Sequence, residues 1–336
     1  MNRNLLKKYA CPAAACILFL LIAGNLFYLH GREQQKPLER SGFLFDTVIA
    51  ISLYDHQSEA ILDGAFQLCE QFEEEFSPTR EGSALWNMNH RAAGITEWEA
   101  DPDLLAVAEL GLRSSEWPEG AFDITVLPVS QLWDFQSGRQ ELPAEQERQR
   151  ALAEVDYHKL SITGNTLHFS DDRVQLDPGA VAKGYIADRL KDYLLQRGVR
   201  SAIINLGGNV LCLGKKPGGA AFQIAIRKPE KDSSEVIKVL EIEDLSVVSS
   251  GNYERGFDLD GVRYHHILNP RTGMPYQNGL KGITVVGPSS AECDALSTSC
   301  FSLGEREGMK LLDATEGYYG YFIREDGSIV PSKYAK

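Results

Sequence analysis

The chain has 336 residues, of which 43% are hydrophobic and 24% are charged, values that are typical of a globular protein and exclude a largely disordered one. Its formal net charge of −13 argues against nucleic acid as a partner, because an acidic surface repels a phosphate backbone. An anionic nucleotide can still bind where backbone amides, a lysine or a metal ion neutralise its phosphates locally.

The N-terminus carries the features of a membrane anchor. Three basic residues precede an uncharged, mostly apolar run over residues 10–29. A helix of about 20 residues, at ~1.5 Å per residue, spans a hydrocarbon core of ~30 Å. We therefore predict that residues 1–30 form a single-pass anchor of the cell membrane, with the catalytic domain on the extracytoplasmic side. Cleavage after Gly24, as in a signal peptide, is the alternative.

The rest of the chain divides into a tether and one domain. Residues 31–41, rich in Gln, Glu and Arg, predict a tether, and residues 42–336 predict a single folded domain. The apolar run continues beyond Cys16, which is the wrong order for a lipoprotein signal. We therefore expect no lipid attachment.

Hydrophobic periodicity predicts the first elements of the domain. A strand is expected over 43–54 and an amphipathic helix over 58–76, in which the charged cluster at 70–75 would form a solvated face. Two more helices are expected at 103–116 and 143–155, the second beginning with a proline and lying in a surface excursion.

Beyond residue 160 the pattern changes to short alternating runs with two interrupting helices. An Asp-Gly step near the C-terminus predicts a tight hairpin. This mixture predicts an α+β fold with mixed, mainly antiparallel sheets and flanking helices in two interleaved lobes. The predicted strands are 161–162, 167–170, 201–206, 221–227, 236–242, 246–249, 283–286 and 319–324, and the helices are 182–196 and 291–301.

The domain contains four cysteines, Cys69, Cys212, Cys293 and Cys300. None belongs to a CxxC pair, so their spacing argues against zinc and redox-pair sites. We expect them to fill the core as small apolar residues, with a disulfide among them as the alternative in an exported protein.

Two glycine-containing segments have the chemistry of an anion site. The segment 177–185, which contains Asp177 and Lys183, passes a Pro-Gly break into a helix whose unpaired N-terminal amides favour an anion. Gly207 and Gly208 end a buried strand and allow a flat ring or a phosphate to approach the backbone. A solvated lysine at a helix start and a simple Gly-Gly turn are the structural alternatives.

The loop 249–255 is a third candidate. It combines Ser250 and Arg255 with a glycine, and these groups can donate hydrogen bonds to phosphate oxygens. An ordinary polar hairpin connection has the same composition.

The helix over 291–301 predicts a metal site. Asp294 and Thr298 stand at i and i+4, with Ser297 beside them, so a carboxylate and hydroxyls share one face. Hard oxygen ligands suit Mg²⁺, which completes its octahedron with water and substrate phosphates. An Asp and a Thr near a helix start also occur without any metal.

Two adjacent histidines close a strand-like run before a compact turn at 269–273. Successive side chains of a strand face opposite sides, so His265 and His266 cannot both serve one site. One of them is therefore predicted to be structural, and a core histidine held by a backbone carbonyl is the alternative role for His266.

Five motifs follow one another in an order that is highly specific, and together they resemble the FAD:protein FMN transferase family, also called ApbE-like. A further stretch, Gly-Ala-Phe-Asp-Ile-Thr-Val-Leu-Pro at 120–128, is similar to another family motif, and the resemblance covers roughly residues 43–329. It implies an ApbE-like, T-fold-related body. The five motifs are Asp-Pro-Gly-Ala-Val-Ala-Lys-Gly-Tyr at 177–185, Asn-Leu-Gly-Gly-Asn at 205–209, Ser-Ser-Gly-Asn-Tyr-Glu-Arg at 249–255, His-Ile-Leu-Asn-Pro-Arg-Thr-Gly at 266–273 and Asp-Ala-Leu-Ser-Thr at 294–298.

The resemblance implies a Mg²⁺-dependent enzyme that takes FAD as substrate, attaches its FMN half through a phosphoester to a Thr or Ser hydroxyl of another protein, and releases AMP. His266 would be the catalytic base. Magnesium would be held by Asp294, Ser297, Thr298 and the backbone oxygen of Ala180. FAD would be contacted by Phe45, Thr79, Ala121, Phe122, Asp123, Asp177, Lys183, Gly207, Gly208, Ser250, Arg255, Ile267 and Leu268.

Two of these positions depart from the family pattern. Phe45 stands in Leu44-Phe45-Asp46-Thr47, where the family often has Met-Gly-Thr. Thr79 occupies a place where some relatives carry an aromatic residue that could stack on a flavin or adenine.

Two alternative functions share the same motifs: a Mg²⁺-dependent FAD pyrophosphatase that yields FMN and AMP, and a non-catalytic FAD-binding protein. The acceptor implied by the resemblance is an exported or membrane redox protein with an FMN-binding domain and an Asp-Gly-Ala-Thr-like sequence. This chain has no such acceptor sequence, because Asp63-Gly64-Ala65 is followed by Phe66. Self-flavinylation is therefore not expected.

Overall fold

The computed structural model describes residues 36–117, 120–135, 138, 140–230 and 233–335. The predicted anchor over residues 1–30 lies outside these described residues, and within them no helix combines the length and apolar character that a bilayer span requires. The helices are α1 (Glu59–Phe76), α2 (Ala84–Asn89), α3 (Pro102–Ser115), α4 (Leu127–Trp133), α5 (Glu145–Leu152), α6 (Ala182–Gln196) and α7 (Ser290–Ala314), with a 3₁₀ turn at Tyr157–Lys159.

An eight-stranded sheet forms the centre of the fold. All the strand pairings among the described residues are antiparallel, which confirms the prediction of an α+β fold with mainly antiparallel sheets. The sheet has the order β1 (Leu38–Leu44), β2 (Thr47–Leu53), β6 (Ala202–Leu206), β7 (Asn209–Leu213), β10 (Ser246–Gly251), β13 (Leu280–Gly287), β14 (Tyr319–Arg324) and β15 (Ile329–Pro331).

Three small sheets surround the large one. They are β3–β5–β4, with β3 at Glu97–Glu99, β4 at Leu160–Thr163 and β5 at Thr166–Phe169; β8–β9, at Phe222–Arg227 and Val236–Ile242; and β11–β12, at Gly256–Leu259 and Val262–His265.

The prediction of one strand over 43–54 was wrong, because the segment is part of a hairpin. β1 begins at Leu38, inside the range assigned to the tether, and a turn at Phe45 and Asp46 separates it from β2. Both turn residues have φ of 55°. Two consecutive positive φ values are the geometry of a tight hairpin turn, which aspartate tolerates better than most residues. The sequence hid this turn because neither residue is a glycine.

The long helices α1, α6 and α7 carry the main core. Leu62, Ala65 and Cys69 of α1 are fully buried in the same cluster as Ile186 and Leu190 of α6. The predicted helices at 58–76 and 182–196 are confirmed within one residue at each end. The four cysteines of the domain are free and buried, so they pack as the sequence predicts and form no disulfide.

Helices α6 and α7 meet through a close backbone contact. Gly184 lies against Ser290 and Ala291 at the start of α7, where an added Cβ would stand 2.6 Å from the Ala291 Cα. From the next turn of α6, the Asp188 carboxylate accepts hydrogen bonds from the Ser289 hydroxyl and from the amides of Ser290 and Ala291. This carboxylate therefore caps the N-terminus of α7 and fixes its position.

Gly184→Ala tests this contact. Alanine favours a helix by ~1 kcal/mol over glycine, but here its methyl group would collide with backbone atoms that cannot move aside. We expect the free energy of unfolding to fall by about 2 kcal/mol, measured by urea denaturation. The matched change Gly64→Ala in α1 meets only the Tyr193 side chain, whose hydroxyl end can swing away, and should cost less. Equal stability of Gly184→Ala and the unchanged protein would contradict the proposed close packing.

Candidate functional site

A cavity of about 820 Å³ lies where loops from both halves of the chain converge. Its wall is built by the β1–β2 turn, the loop after α1, the segment before α4, the start of α6, the β6–β7 turn and the loops after β10 and β12. The predicted site residues that line it are Phe45, Thr79, Ala121, Phe122, Asp123, Asp177, Ala180, Lys183, Gly207, Gly208, Arg255, His266, Ile267, Leu268 and Thr298.

Three predicted site residues, Ser250, Asp294 and Ser297, stand behind this wall rather than on it. The Ser250 hydroxyl lies 2.8 Å from the Ser297 hydroxyl and 3.4 Å from the Thr298 hydroxyl, which does face the cavity. Ser297 also donates to the Asp294 carbonyl at 2.9 Å. The structure therefore gathers the oxygen groups of α7 and β10 in one place, with Thr298 as the member that lines the cavity.

The Asp294 carboxylate is buried, with 4% of the residue exposed. Its Oδ2 accepts a hydrogen bond from the Gly184 amide at 2.9 Å. Burial raises the pKa of Asp294, while the charge of Lys183 and the Gly184 amide lower it. A buried carboxylate is costly unless a cation or hydrogen bonds compensate it, and here the Lys183 charge and the Gly184 amide do so in part.

The chemistry of this donor set fits magnesium. It offers the Asp294 carboxylate and the hydroxyls of Ser297 and Thr298, all of them hard oxygens, and Ala180 lines the same cavity as Thr298. Among the described residues no cluster of three or more His, Cys, Asp or Glu side chains is placed to hold a metal ion. The arrangement therefore resembles a short magnesium ligand list that a substrate phosphate completes, and differs from an all-protein metal cage.

The segment entering α6 is fixed by the Asp177 carboxylate. Its Oδ1 accepts the Gly179 amide at 3.0 Å, and its Oδ2 accepts the Ser130 hydroxyl at 2.9 Å. The Lys183 ammonium donates to the Gly179 carbonyl at 3.3 Å. The lysine therefore stands at the first turn of the helix, on the cavity wall, where both its charge and the helix amides favour an anion.

Asp123 lines the cavity, but its carboxylate is engaged by the protein itself. Oδ1 accepts hydrogen bonds from the Thr125 amide and hydroxyl at 2.8 and 2.7 Å, and Oδ2 accepts the Tyr157 amide at 3.1 Å. Asp123 thereby ties the segment before α4 to the 3₁₀ turn. Its side chain holds the shape of this wall, which the motif alone did not reveal.

The two histidines have separate roles, as their alternation predicts. His265 is 1% exposed, and its Nε2 lies 2.8 Å from the Tyr276 carbonyl, to which it donates, while its Nδ1 accepts the Ile267 amide at 3.3 Å. His265 is thus a structural histidine. His266 faces the cavity.

His266 has its Nδ1 3.4 Å from the Arg255 carbonyl. The surrounding protein, and next the Arg255 charge, lower the pKa of His266 to about 3. The imidazole is therefore neutral near pH 7, and with Nδ1–H directed at the carbonyl its Nε2 is an acceptor.

Sequence reasoning missed four carboxylates on the cavity wall, those of Asp46, Glu73, Asp134 and Glu254. Glu73 of α1 accepts the Phe45 amide at 2.9 Å and so holds the β1–β2 turn, although the 70–75 cluster was interpreted as solvated. Glu254 lies between Tyr253 and Arg255, and its surroundings raise its pKa to about 7, with Lys183 and Arg255 opposing the shift. The position of Glu254 inside a motif was the available signal, whereas nothing in the helix pattern distinguished Glu73.

Comparison with known proteins identifies the family of the chain. The model of the ApbE family matches residues 45–322. The FAD:protein FMN transferase of Klebsiella pneumoniae (strain 342) is 34% identical over 294 residues, covering 87% of this chain and 90% of that protein. The protein of the same name from Treponema pallidum (strain Nichols) is 32% identical over 315 residues, covering 88% of this chain and 87% of that protein.

Solved structures of ApbE proteins are similar to this chain in fold. The flavin transferase ApbE from Vibrio cholerae superposes with a TM-score of 0.79 at 28% identity, covering 89% of this chain and 97% of that one. The ApbE protein of Thermotoga maritima gives a TM-score of 0.80 at 27% identity, with coverages of 89% and 97%. The family match and these relatives span nearly the whole described body, with the cavity inside the matched region, and the chain therefore belongs to the ApbE family.

Proposed function

We propose that the chain is a FAD:protein FMN transferase that uses Mg²⁺ and modifies a Thr or Ser of another protein. The observation that carries the proposal is the convergence of Lys183, His266 and Thr298 on one cavity, with the Asp294 carboxylate directly behind it. These are a cation for phosphate, a neutral base and oxygen ligands for a metal ion. Together they match the parts that phosphoryl-type transfer requires.

FAD binding follows from local neutralisation in an acidic protein. Lys183 and Arg255 are cations on the cavity wall, and the amides at the start of α6 add positive potential. Gly207 and Gly208, both with positive φ, form the β6–β7 turn on the same wall. Nothing lies within 4 Å of an added Gly208 Cβ, so a flat ring or a phosphate can come close to the backbone there.

Magnesium would be held by Asp294 and Thr298, with the Ala180 carbonyl and Ser297 as further oxygen donors. When bound, the ion supplies positive charge that neutralises the pyrophosphate of FAD. The chain's own groups complete the site, because Lys183 and the α6 amides contribute charge that does not depend on the ion.

His266 is positioned to accept the proton of the incoming hydroxyl. The acceptor oxygen forms a phosphoester with the FMN phosphorus, the pyrophosphate bond breaks, and AMP leaves with the electron pair of that bond. Because the surroundings of His266 disfavour its protonated form, the base is available throughout the neutral range. The wall residues Ile267 and Leu268 beside it are buried and apolar, which limits water near the reacting oxygen.

FAD pyrophosphatase activity is the second candidate. Its support is Thr79, an exposed residue of the cavity wall that carries a small hydroxyl side chain where an aromatic ring would close the site. A less completely covered site admits water, which then takes the place of the protein hydroxyl.

We further propose that residues 1–30 anchor the enzyme in the cell membrane, with the domain on the extracytoplasmic side. The support is the uncharged run over 10–29 and the basic residues before it. The acceptors would then be exported or membrane redox proteins.

His266→Ala tests the base. We expect transfer of FMN to an FMN-binding domain that contains Asp-Gly-Ala-Thr to fall by ~10²- to 10⁴-fold, with FAD affinity nearly unchanged. Mass spectrometry of the acceptor measures the transfer, and flavin fluorescence measures FAD binding. His158→Ala removes an exposed histidine outside the cavity and serves as the control. A fully active His266→Ala variant would exclude His266 as the base, and AMP release from the unchanged enzyme without acceptor modification would favour the pyrophosphatase.

Asp294→Asn tests the metal site. Asparagine keeps an oxygen for the Gly184 amide but removes the charge, so we expect Mg²⁺ affinity to fall by at least about tenfold. Titration calorimetry without FAD, and the Mn²⁺ signal in electron paramagnetic resonance, measure this without relying on turnover. Glu307→Gln, a half-buried carboxylate in the far part of α7 that pairs with Lys310, is the matched control. Unchanged affinity in Asp294→Asn would refute the assignment of this carboxylate to the metal.

A further inference from the structure

The β1–β2 hairpin carries an exposed apolar pair beside the cavity. Phe43 and Val48 are direct partners across the hairpin and are 70% and 64% exposed, the highest values among the large hydrophobic residues that the structure describes. The residues between them continue into the site, because Phe45 and Thr47 line the cavity. An apolar pair this exposed, at the mouth of a functional cavity, marks a surface that another molecule covers.

The strand that carries Phe43 is also a free edge. β1 is the terminal strand of the eight-stranded sheet, with no strand paired to its outer side within the described parts of the chain. Its charged residues, Glu39 and Arg40, lie towards the start of the strand, whereas Gly42 and Phe43, nearest the turn, carry no charge. Charges usually protect a sheet edge against pairing, so the protection is missing where the edge meets the cavity.

We propose that Phe43, Val48 and the adjoining edge of β1 are the docking surface for the acceptor protein, an inference that rests on the proposed FMN transfer. The reaction requires a hydroxyl of a second protein to enter the cavity, so that protein must lie over the cavity mouth. The hairpin turn forms part of this mouth, and an acceptor placed there covers the apolar pair. Neither a lipid surface nor a second copy of this chain has to reach the cavity.

The physical basis of docking is apolar burial combined with backbone pairing. Covering Phe43 and Val48 removes apolar surface from water, and aromatic anchors of this kind dominate many protein interfaces. An extended acceptor segment can add main-chain hydrogen bonds along the free edge of β1. The turn itself is held by the hydrogen bond from the Phe45 amide to Glu73, so the surface is fixed relative to the cavity.

The test is the double variant Phe43→Ser with Val48→Ser in the full chain, with the Asp-Gly-Ala-Thr acceptor domain as the probe. We expect KM for the acceptor to rise about tenfold or more, while kcat and FAD affinity stay unchanged. Both side chains are exposed, so the fold should tolerate the change. Val239→Ser is the matched control, because Val239 is 52% exposed on the β8–β9 hairpin and does not line the cavity.

Each outcome decides the proposal. A higher KM in the double variant alone, with kcat and FAD affinity retained, supports the docking surface. Normal FMN transfer with an unchanged KM overturns the docking surface and leaves the proposed function intact. Absence of FMN transfer in the unchanged chain overturns both proposals together.

Discussion

The contact between α6 and α7 is the constraint on which the site depends. Gly184 brings the two helices together, its amide donates to Asp294, and Asp188 one turn later caps α7. The same helix pair carries Lys183 and Thr298 on its cavity side. One backbone contact therefore sets the relative positions of the cation, the buried carboxylate and the hydroxyl. A small displacement of either helix would separate the groups that the proposed reaction brings to a single pyrophosphate.

The cavity holds positively charged groups although the protein as a whole is acidic. Its overall charge is −13, and the cavity wall carries Lys183, Arg255 and a helix N-terminus among six carboxylates. Burial raises the pKa of Glu254 on this wall, Lys183 and Arg255 oppose the shift, and the charge of Asp294 behind the wall adds to it. Such a site does not attract polyanions through long-range steering, and it selects a small anion through short-range contacts. This explains how an acidic domain can serve a nucleotide substrate.

Much of the fold and of the site could be predicted from the sequence. The helices at 58–76 and 182–196 have clear periodicity, and the family resemblance identified fifteen residues that the fold does bring to one cavity. The missed features are those decided by tertiary contacts. The turn at Phe45 and Asp46 lacks the usual glycine, and its conformation is supported by Glu73, a residue far away in sequence. Likewise, only the folded chain shows that Ser250, Asp294 and Ser297 lie behind the wall.

The order of strands in the central sheet has a consequence for how the protein matures. β2 pairs with β6, about 150 residues further along the chain, and the cavity takes residues from Phe45 to Ser302, so distant parts of the chain must meet before the site exists. Such non-local pairing slows folding. An incomplete chain would not hold the complete cavity. A ligand that binds only the complete site, as proposed for FAD, would shift the folding equilibrium towards the native state by mass action. Substrate supply and the lifetime of the enzyme are thereby linked.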